Sequence, residues 1–398
     1  MKKEASMHDF VYHSPTKVFF GKRVEQQVGP VLAEAGFRKV LIHFGGGSVR
    51  SNGLLATVEQ SLLEAGIVFV EFGGVSPNPK IEMVRDGIQI AEREHIDMIL
   101  AVGGGSVIDS AKGIGLGLAH HKDPWEMIEK GEAPTATFPL AAVLTISAAG
   151  SEMSYSDVLT NSEKKLKRAM NNDLLRPLFA FENPEYTKTV GPYQSACGIV
   201  DIMMHTLERY LTGDKDTELT DRLGEALLVS VKHAGEVVMS DPADYEARAT
   251  LMWASSLSHN GITGCGKKPF FPAHKLEHDI SGLHDEVSHG AGLAVVFPAW
   301  ARYVYTHDVR KFAQLAERVW NVEMDHDHPE RTALGGIEAM VRYFKRIGMP
   351  TTMRELGIDP SEFRTLAEMT TDCDRKPIPS YIPLGVKEIV EIYKSAEK

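Results

Sequence analysis

MILAVGGGSVIDSAKGIGLGLA, residues 98–119, reads as a buried strand that runs through a glycine turn into a helix. Its first five residues are continuously apolar, as a strand covered on both faces requires. Gly103, Gly104, Gly105 and Ser106 then let the backbone turn tightly and approach an anion. The free N–H groups opening the next helix offer donors and a favourable dipole to a pyrophosphate. Small residues also pack helices against sheets, so a purely structural turn is the competing reading. Asp109 and Lys112 lie one helical turn apart, placed to face ribose and phosphate or to pair with each other.

The same grammar repeats outward from this stretch. KVLIHF, IVFVEFG and AAVLTI are further strand candidates, closed by glycine or polar residues. Between them NGLLATVEQSLLEAG and PKIEMVRDGIQIAEREH show helical spacing with charged outer faces. Strand, turn and helix in alternation predict an α/β domain with a mostly parallel sheet and helices on both sides. From about Pro192 long helical patterns take over, among them SACGIVDIMMHTLERYL and TALGGIEAMVRYFKRIG. The expected division is a dinucleotide-binding α/β domain over residues 1–188 and an all-α domain over 189–398. DHDHPE (residues 325–330) reads as a solvated loop between helices rather than a metal site.

Composition excludes several classes. The 398 residues carry a formal charge of -11 with no dense basic block, so a nucleic-acid partner is not expected. No apolar run approaches the roughly 18 residues of a membrane span, and no signal peptide is evident. Cys197, Cys265 and Cys373 are scattered and odd in number, which suits a reducing cytoplasm.

A second glycine cluster, Gly45, Gly46, Gly47 and Ser48, ends KVLIHF and is followed by Arg50. A dinucleotide site often grips the adenosine ribose with an acidic residue at a strand end, which rejects a 2′-phosphate. This strand end offers no carboxylate locally, and Arg50 can pair with a phosphate, so NADP(H) is expected over NAD(H). A third segment, Thr145 to Glu152, includes Ser147 and is rich in small and hydroxylated residues that fit a close backbone approach to a ligand.

The second half holds four potential metal ligands. Asp201 and His205, four apart, share one face of a helix. His274 and His289 arrive from a later segment and would complete an N,N,N,O site for Fe(II) or Zn(II). A lone helical histidine is more often a satisfied polar residue than a ligand; the recurrence at useful spacings favours ligation. His274 to His278 also matches HxxEH, a zinc-peptidase pattern with Glu277 as the water-activating residue. That reading would leave three glycine-rich turns unexplained.

FGGGSVR, GGVSPNPK, AVGGGSVIDSAK, TISAAGSE, CGIVDIMMHTLERY and HGAGLAVVFPAW, in this order, resemble the iron-dependent (group III) alcohol dehydrogenases over roughly residues 10–395. The resemblance is to their NAD(P)H-dependent butanol dehydrogenase and aldehyde reductase branch. It implies a dehydroquinate-synthase-like fold, with metal and nicotinamide in a cleft between an α/β and a helical domain. It also implies one divalent metal on Asp201, His205, His274 and His289, and His278 near the nicotinamide and the reacting oxygen, where an imidazole would shuttle a proton or orient the substrate. Small aliphatic aldehydes and primary alcohols are the implied substrates, and a cytoplasmic homodimer is the expected assembly.

Two departures stand out. His274 to His289 spans fifteen residues where the family usually has fourteen, which makes His284 a rival fourth ligand. Ala149 replaces the threonine that usually precedes GSE. With Asp201 as the single anionic ligand, the metal site is expected to keep net positive charge. The alternatives are a metal- and dinucleotide-dependent lyase of the dehydroquinate synthase type and a non-catalytic metal-binding subunit.

Overall fold

A computed structural model describes residues 7–397, which divide into two compact units. One comprises His13–Val190 and Pro242–Asn260; the other comprises Gly191–Asp241, Gly261 onward and the first described residues up to Tyr12.

The first unit is built on a six-stranded sheet. Its strands are β1 (Lys17–Phe20), β2 (Lys39–Phe44), β3 (Val68–Gly73), β4 (Met98–Gly103), β5 (Leu140–Leu144) and β8 (Phe179–Glu182). They pair in the order β1-β8-β5-β4-β2-β3, all parallel. An antiparallel hairpin, β6 (Ser156–Asn161) and β7 (Leu166–Asn171), stands outside the sheet.

Alternate residues of the central strands feed two separate cores. Val40, Ile42, Met98, Leu100, Val102, Ala141 and Val143 pack on one face with Val28, Leu32, Leu54, Val58 and Leu62 from helices. Leu41, Ile99, Ala101, Leu140, Ala142 and Leu144 pack on the other with Ile81, Val84, Ile108, Ala111 and Ile114. Both faces are covered, and this is why the strand sequences run apolar without alternation.

One helix of this unit comes from far along the chain. Tyr245–His259 contributes Met252 to the second core, although its sequence continues the long helical patterns that follow Pro192.

The second unit is helical. Pro192–Tyr210, Glu218–Ser240, Pro272–Leu283, His289–Val304, Val309–Trp320, Pro329–Arg346, Phe363–Thr371 and Val386–Ser395 are its helices. Pro at the first helical position starts the first, third and sixth of these. Among the described residues no helix is long and apolar enough to cross a membrane.

Candidate metal and nucleotide sites

Asp201 and His205 project from one face of Pro192–Tyr210, and both are buried. His274 sits in the first turn of Pro272–Leu283, and His289 opens His289–Val304. The last helix lies hard against the first at Gly290, where a Cβ would fall 2.2 Å from the Cys197 carbonyl oxygen. Only glycine allows that approach, and it carries His289 toward Asp201.

Three imidazoles converge on one carboxylate oxygen. From Asp201 Oδ1 the distances are 3.4 Å to His205 Nδ1, 3.8 Å to His274 Nε2 and 3.8 Å to His289 Nε2. Ligating atoms of Asp201, His205 and His274 all lie within 4.8 Å of one another. Asp201 Oδ1 and His274 Nε2 are buried with no hydrogen-bond partner. Such orphaned polar atoms are costly unless something binds them. Three nitrogens and one oxygen suit a borderline divalent cation, so the donor set fits the metal.

Two glutamates to which sequence reasoning assigned no supporting role hold the imidazoles. Glu208 bonds His274 Nδ1 and accepts the Ala273 N–H at 2.7 Å; Glu277 bonds His289 Nδ1. Both carboxylates are essentially inaccessible to solvent. A carboxylate can only accept, so each imidazole donates from Nδ1 and presents Nε2 toward Asp201. Glu208 lies two helical turns beyond Asp201 and Glu277 one turn beyond His274, spacings that could have flagged both.

Glu277 of the HxxEH pattern bonds His289, in line with setting the peptidase reading aside. One expectation is thereby corrected. The expected net positive charge counted Asp201 alone, whereas Glu208 and Glu277 bring the buried carboxylates to three.

His284 is engaged elsewhere, with Nε2 3.0 Å from Glu362 and Nδ1 3.4 Å from Glu286. His278 lies one turn beyond His274; its ring centre is 6.4 Å from that of His274 and 5.6 Å from that of His289. Glu277, His278 and His289 also form a three-residue group, but it draws on the His289 side that Glu277 already occupies. Phe271 presents its ring edge-on to His274, with centroids 5.5 Å apart.

The glycine turns lie together in the α/β unit. Chain order reverses between β2 and β4: β3 lies outward from β2, whereas β5 and β8 lie outward from β4. Parallel α/β sheets bind ligands beyond the carboxyl ends of the strands at such a switch point. Phe44 and Val102 are in register there, so Gly45–Ser48 and Gly103–Ser106 emerge side by side. A Cβ on Gly104 would meet Ile146 at 2.4 Å, which brings the third segment against the second turn. Thr145 donates its N–H to Gly103 O at 3.1 Å, and the Ser147 hydroxyl is buried without a partner. An orphaned hydroxyl beside two glycine turns fits a polar ligand.

Asp109 and Lys112 sit deeper. The buried Lys112 ammonium reaches Ser151 Oγ at 2.8 Å, Ser154 O at 3.1 Å and Ser156 O at 2.7 Å, with Asp109 3.8 Å away. Asp109 in turn accepts from Ser151 Oγ and the Val158 N–H. The pair thus ties the third segment and the start of β6 to the helix Gly105–His120. Arg50 is paired with Glu71 of β3. The expected absence of a carboxylate near that strand end is therefore corrected: Glu71 is remote in sequence but adjacent across the sheet.

Residues 15–184 match the model of the iron-containing alcohol dehydrogenases, and residues 195–397 match that of the Fe-containing alcohol dehydrogenase family, C-terminal. The chain is 38% identical over 391 residues to NADH-dependent butanol dehydrogenase A of Clostridium acetobutylicum, covering 98% of this chain and 100% of that one. It is 34% identical to the NADPH-dependent aldehyde reductase YqhD of Escherichia coli, covering 90% and 92%. The crystal structure of NADH-dependent butanol dehydrogenase A from Thermotoga maritima superposes with a TM-score of 0.95 at 33% identity, covering 99% and 100%.

Proposed function

The chain belongs to the iron-containing alcohol dehydrogenase family, and from that premise we propose that Asp201, His205, His274 and His289 hold its single divalent metal ion. Its activity is metal-dependent, NAD(P)H-linked interconversion of small aliphatic aldehydes and alcohols. The observation that carries the site assignment is the convergence of three imidazole nitrogens on Asp201 Oδ1. Against the expected division at residues 188 and 189, we assign dinucleotide binding to the unit of His13–Val190 and Pro242–Asn260, and metal and substrate binding to the helical unit.

When bound, the cation supplies Lewis acidity toward the substrate oxygen, and the nicotinamide supplies or accepts hydride at C4. The remaining work falls to the chain. Glu208 and Glu277 fix the tautomer and direction of two imidazoles, so the donor set needs little rearrangement on loading. His278, outside the four donors, delivers a proton to the substrate oxygen during aldehyde reduction and removes it during alcohol oxidation. The Phe271 ring offers an apolar wall for an aliphatic tail. Gly45–Ser48, Gly103–Ser106, Thr145 and Ser147 receive the dinucleotide, while Asp109 and Lys112 hold the third segment in place.

Aldehyde reduction is the direction we assign. Similar proteins are named for NADH and for NADPH, so cofactor choice falls to local residues. Arg50 supports NADP(H) over NAD(H), a preference that its pairing with Glu71 keeps small. Fe(II) or Zn(II) fits the donor set, a homodimer is the assembly we assign, and three free cysteines suit the cytoplasm. No observation favours the lyase or the non-catalytic reading. The test is nicotinamide oxidation by the metal-reconstituted chain with C3–C6 aldehydes, run separately with NADH and NADPH. Turnover that rises with aldehyde concentration is expected; none with any of these aldehydes would refute the substrate class.

A further inference from the structure

We infer that Glu71 is a specificity-determining residue that limits recognition of the cofactor's 2′-phosphate by holding Arg50. The inference rests on the reading that places the adenosine ribose at the turn from Gly45 to Arg50.

Arg50 lies in the short helix Ser48–Ser51 that follows β2, with its side chain 56% exposed and its guanidinium 4.9 Å from the centre of the Phe44 ring. Glu71 approaches from β3, paired in register with Ile42, and its carboxylate forms an ion pair with Arg50. Glu59, on the helix Leu54–Glu64, completes the group: burial and then the neighbouring Glu71 raise its carboxyl above the usual range, while Arg50 lowers it. The one cation at this turn is therefore shared with acidic neighbours before any cofactor arrives.

The two cofactors meet this arrangement differently. A ribose 2′-hydroxyl can donate to a carboxylate, as acidic residues do for NAD in other dinucleotide sites. A 2′-phosphate brings about two negative charges, cannot donate when fully ionised, and must draw Arg50 away from Glu71. Removing the charge of Glu71 frees the guanidinium and abolishes a repulsion in one step. Removing Arg50 leaves only the repulsion. Two opposite substitutions at one contact therefore shift cofactor choice in opposite directions.

The test is isothermal titration of the metal-loaded full chain with NADP+ and with NAD+. It compares wild type, Glu71→Gln, Arg50→Gln and the double variant. Glu71→Gln is expected to tighten NADP+ by about three- to fivefold, the scale of a surface ion pair, with NAD+ unchanged or weaker. Arg50→Gln should weaken NADP+ alone, and adding Glu71→Gln to it should recover less than Glu71→Gln gains by itself. If wild type favours NAD+ but Glu71→Gln still moves the ratio toward NADP+, the inference stands and the NADP(H) preference falls. If Arg50→Gln weakens NADP+ while Glu71→Gln leaves the ratio unchanged, the inference is overturned and the ribose placement survives. If neither substitution moves either constant, both are overturned.

Discussion

Glu208 and Glu277 show what a buried carboxylate does behind a metal ligand. Each accepts from the Nδ1 of one histidine, so the other ring nitrogen is committed to the common point at Asp201. Glu277→Gln keeps the volume and removes the charge. It is expected to weaken Fe(II) or Zn(II) affinity by about tenfold or more, measured by competition with a chromogenic chelator, while the helical circular dichroism stays unchanged. Wild-type affinity in that variant would show that Glu277 merely fills space. The four donor candidates were legible because aspartate and histidine at helical spacing are conspicuous. The supporting role of the glutamates was not: Glu208 in a helix ordinarily reads as solvated surface, and Glu277 drew notice only as part of the HxxEH pattern. Arg50 and Glu71 are hidden for another reason: 21 residues separate them, and only the β2–β3 pairing brings them together.

At the scale of elements, the helix Tyr245–His259 braces the third glycine-containing segment. Ser255 Oγ meets both the N–H and the carbonyl of Ala148 at 3.1 Å, and His259 Nδ1 lies 2.8 Å from Ala149 O. Ser256 Oγ bridges Glu152 at 2.6 Å and Glu182 at 3.1 Å, all three buried. One hydroxyl proton cannot serve two ionised carboxylates at once, so the arrangement calls for a protonated partner. Burial raises both carboxyl groups above their usual range, Glu182 strongly and with a further push from Glu152. The sign follows from linkage. An unfolded glutamate ionises near about 4.3, whereas the folded chain retains the proton. Stability is thus lost as pH rises from there through the raised folded value. Glu182→Gln removes that penalty and is expected to raise Tm by about 2 °C or more at pH 8, with a smaller difference at pH 5. A shift of equal size at both pH values would contradict it. The strands β2 to β5 were legible from their near-continuous apolar runs. The four-residue β1 and β8 were not, being too short to show a period. Membership of Tyr245–His259 in the α/β unit is invisible locally, since its pattern is that of any amphipathic helix.

Across the whole molecule, one unit presents a parallel sheet with two glycine turns at its switch point, and the other brings nitrogens of three histidines within 3.8 Å of one aspartate oxygen. Either feature alone has structural explanations; in one chain they mark a metal-dependent nicotinamide oxidoreductase. The ordered motifs made the family legible from sequence, while the pairing of charges around its sites required the fold. The most direct test measures bound metal and butanal-dependent nicotinamide oxidation in parallel, for wild type, His205→Ala, His289→Ala and His284→Ala reconstituted with Fe(II) or Zn(II). Wild type and His284→Ala are expected to bind close to one metal per chain and to turn over. His205→Ala and His289→Ala should lose most of both while keeping the helical signal. Full metal occupancy in His205→Ala and His289→Ala, or greater metal loss in His284→Ala, would contradict the assignment of the metal to Asp201, His205, His274 and His289.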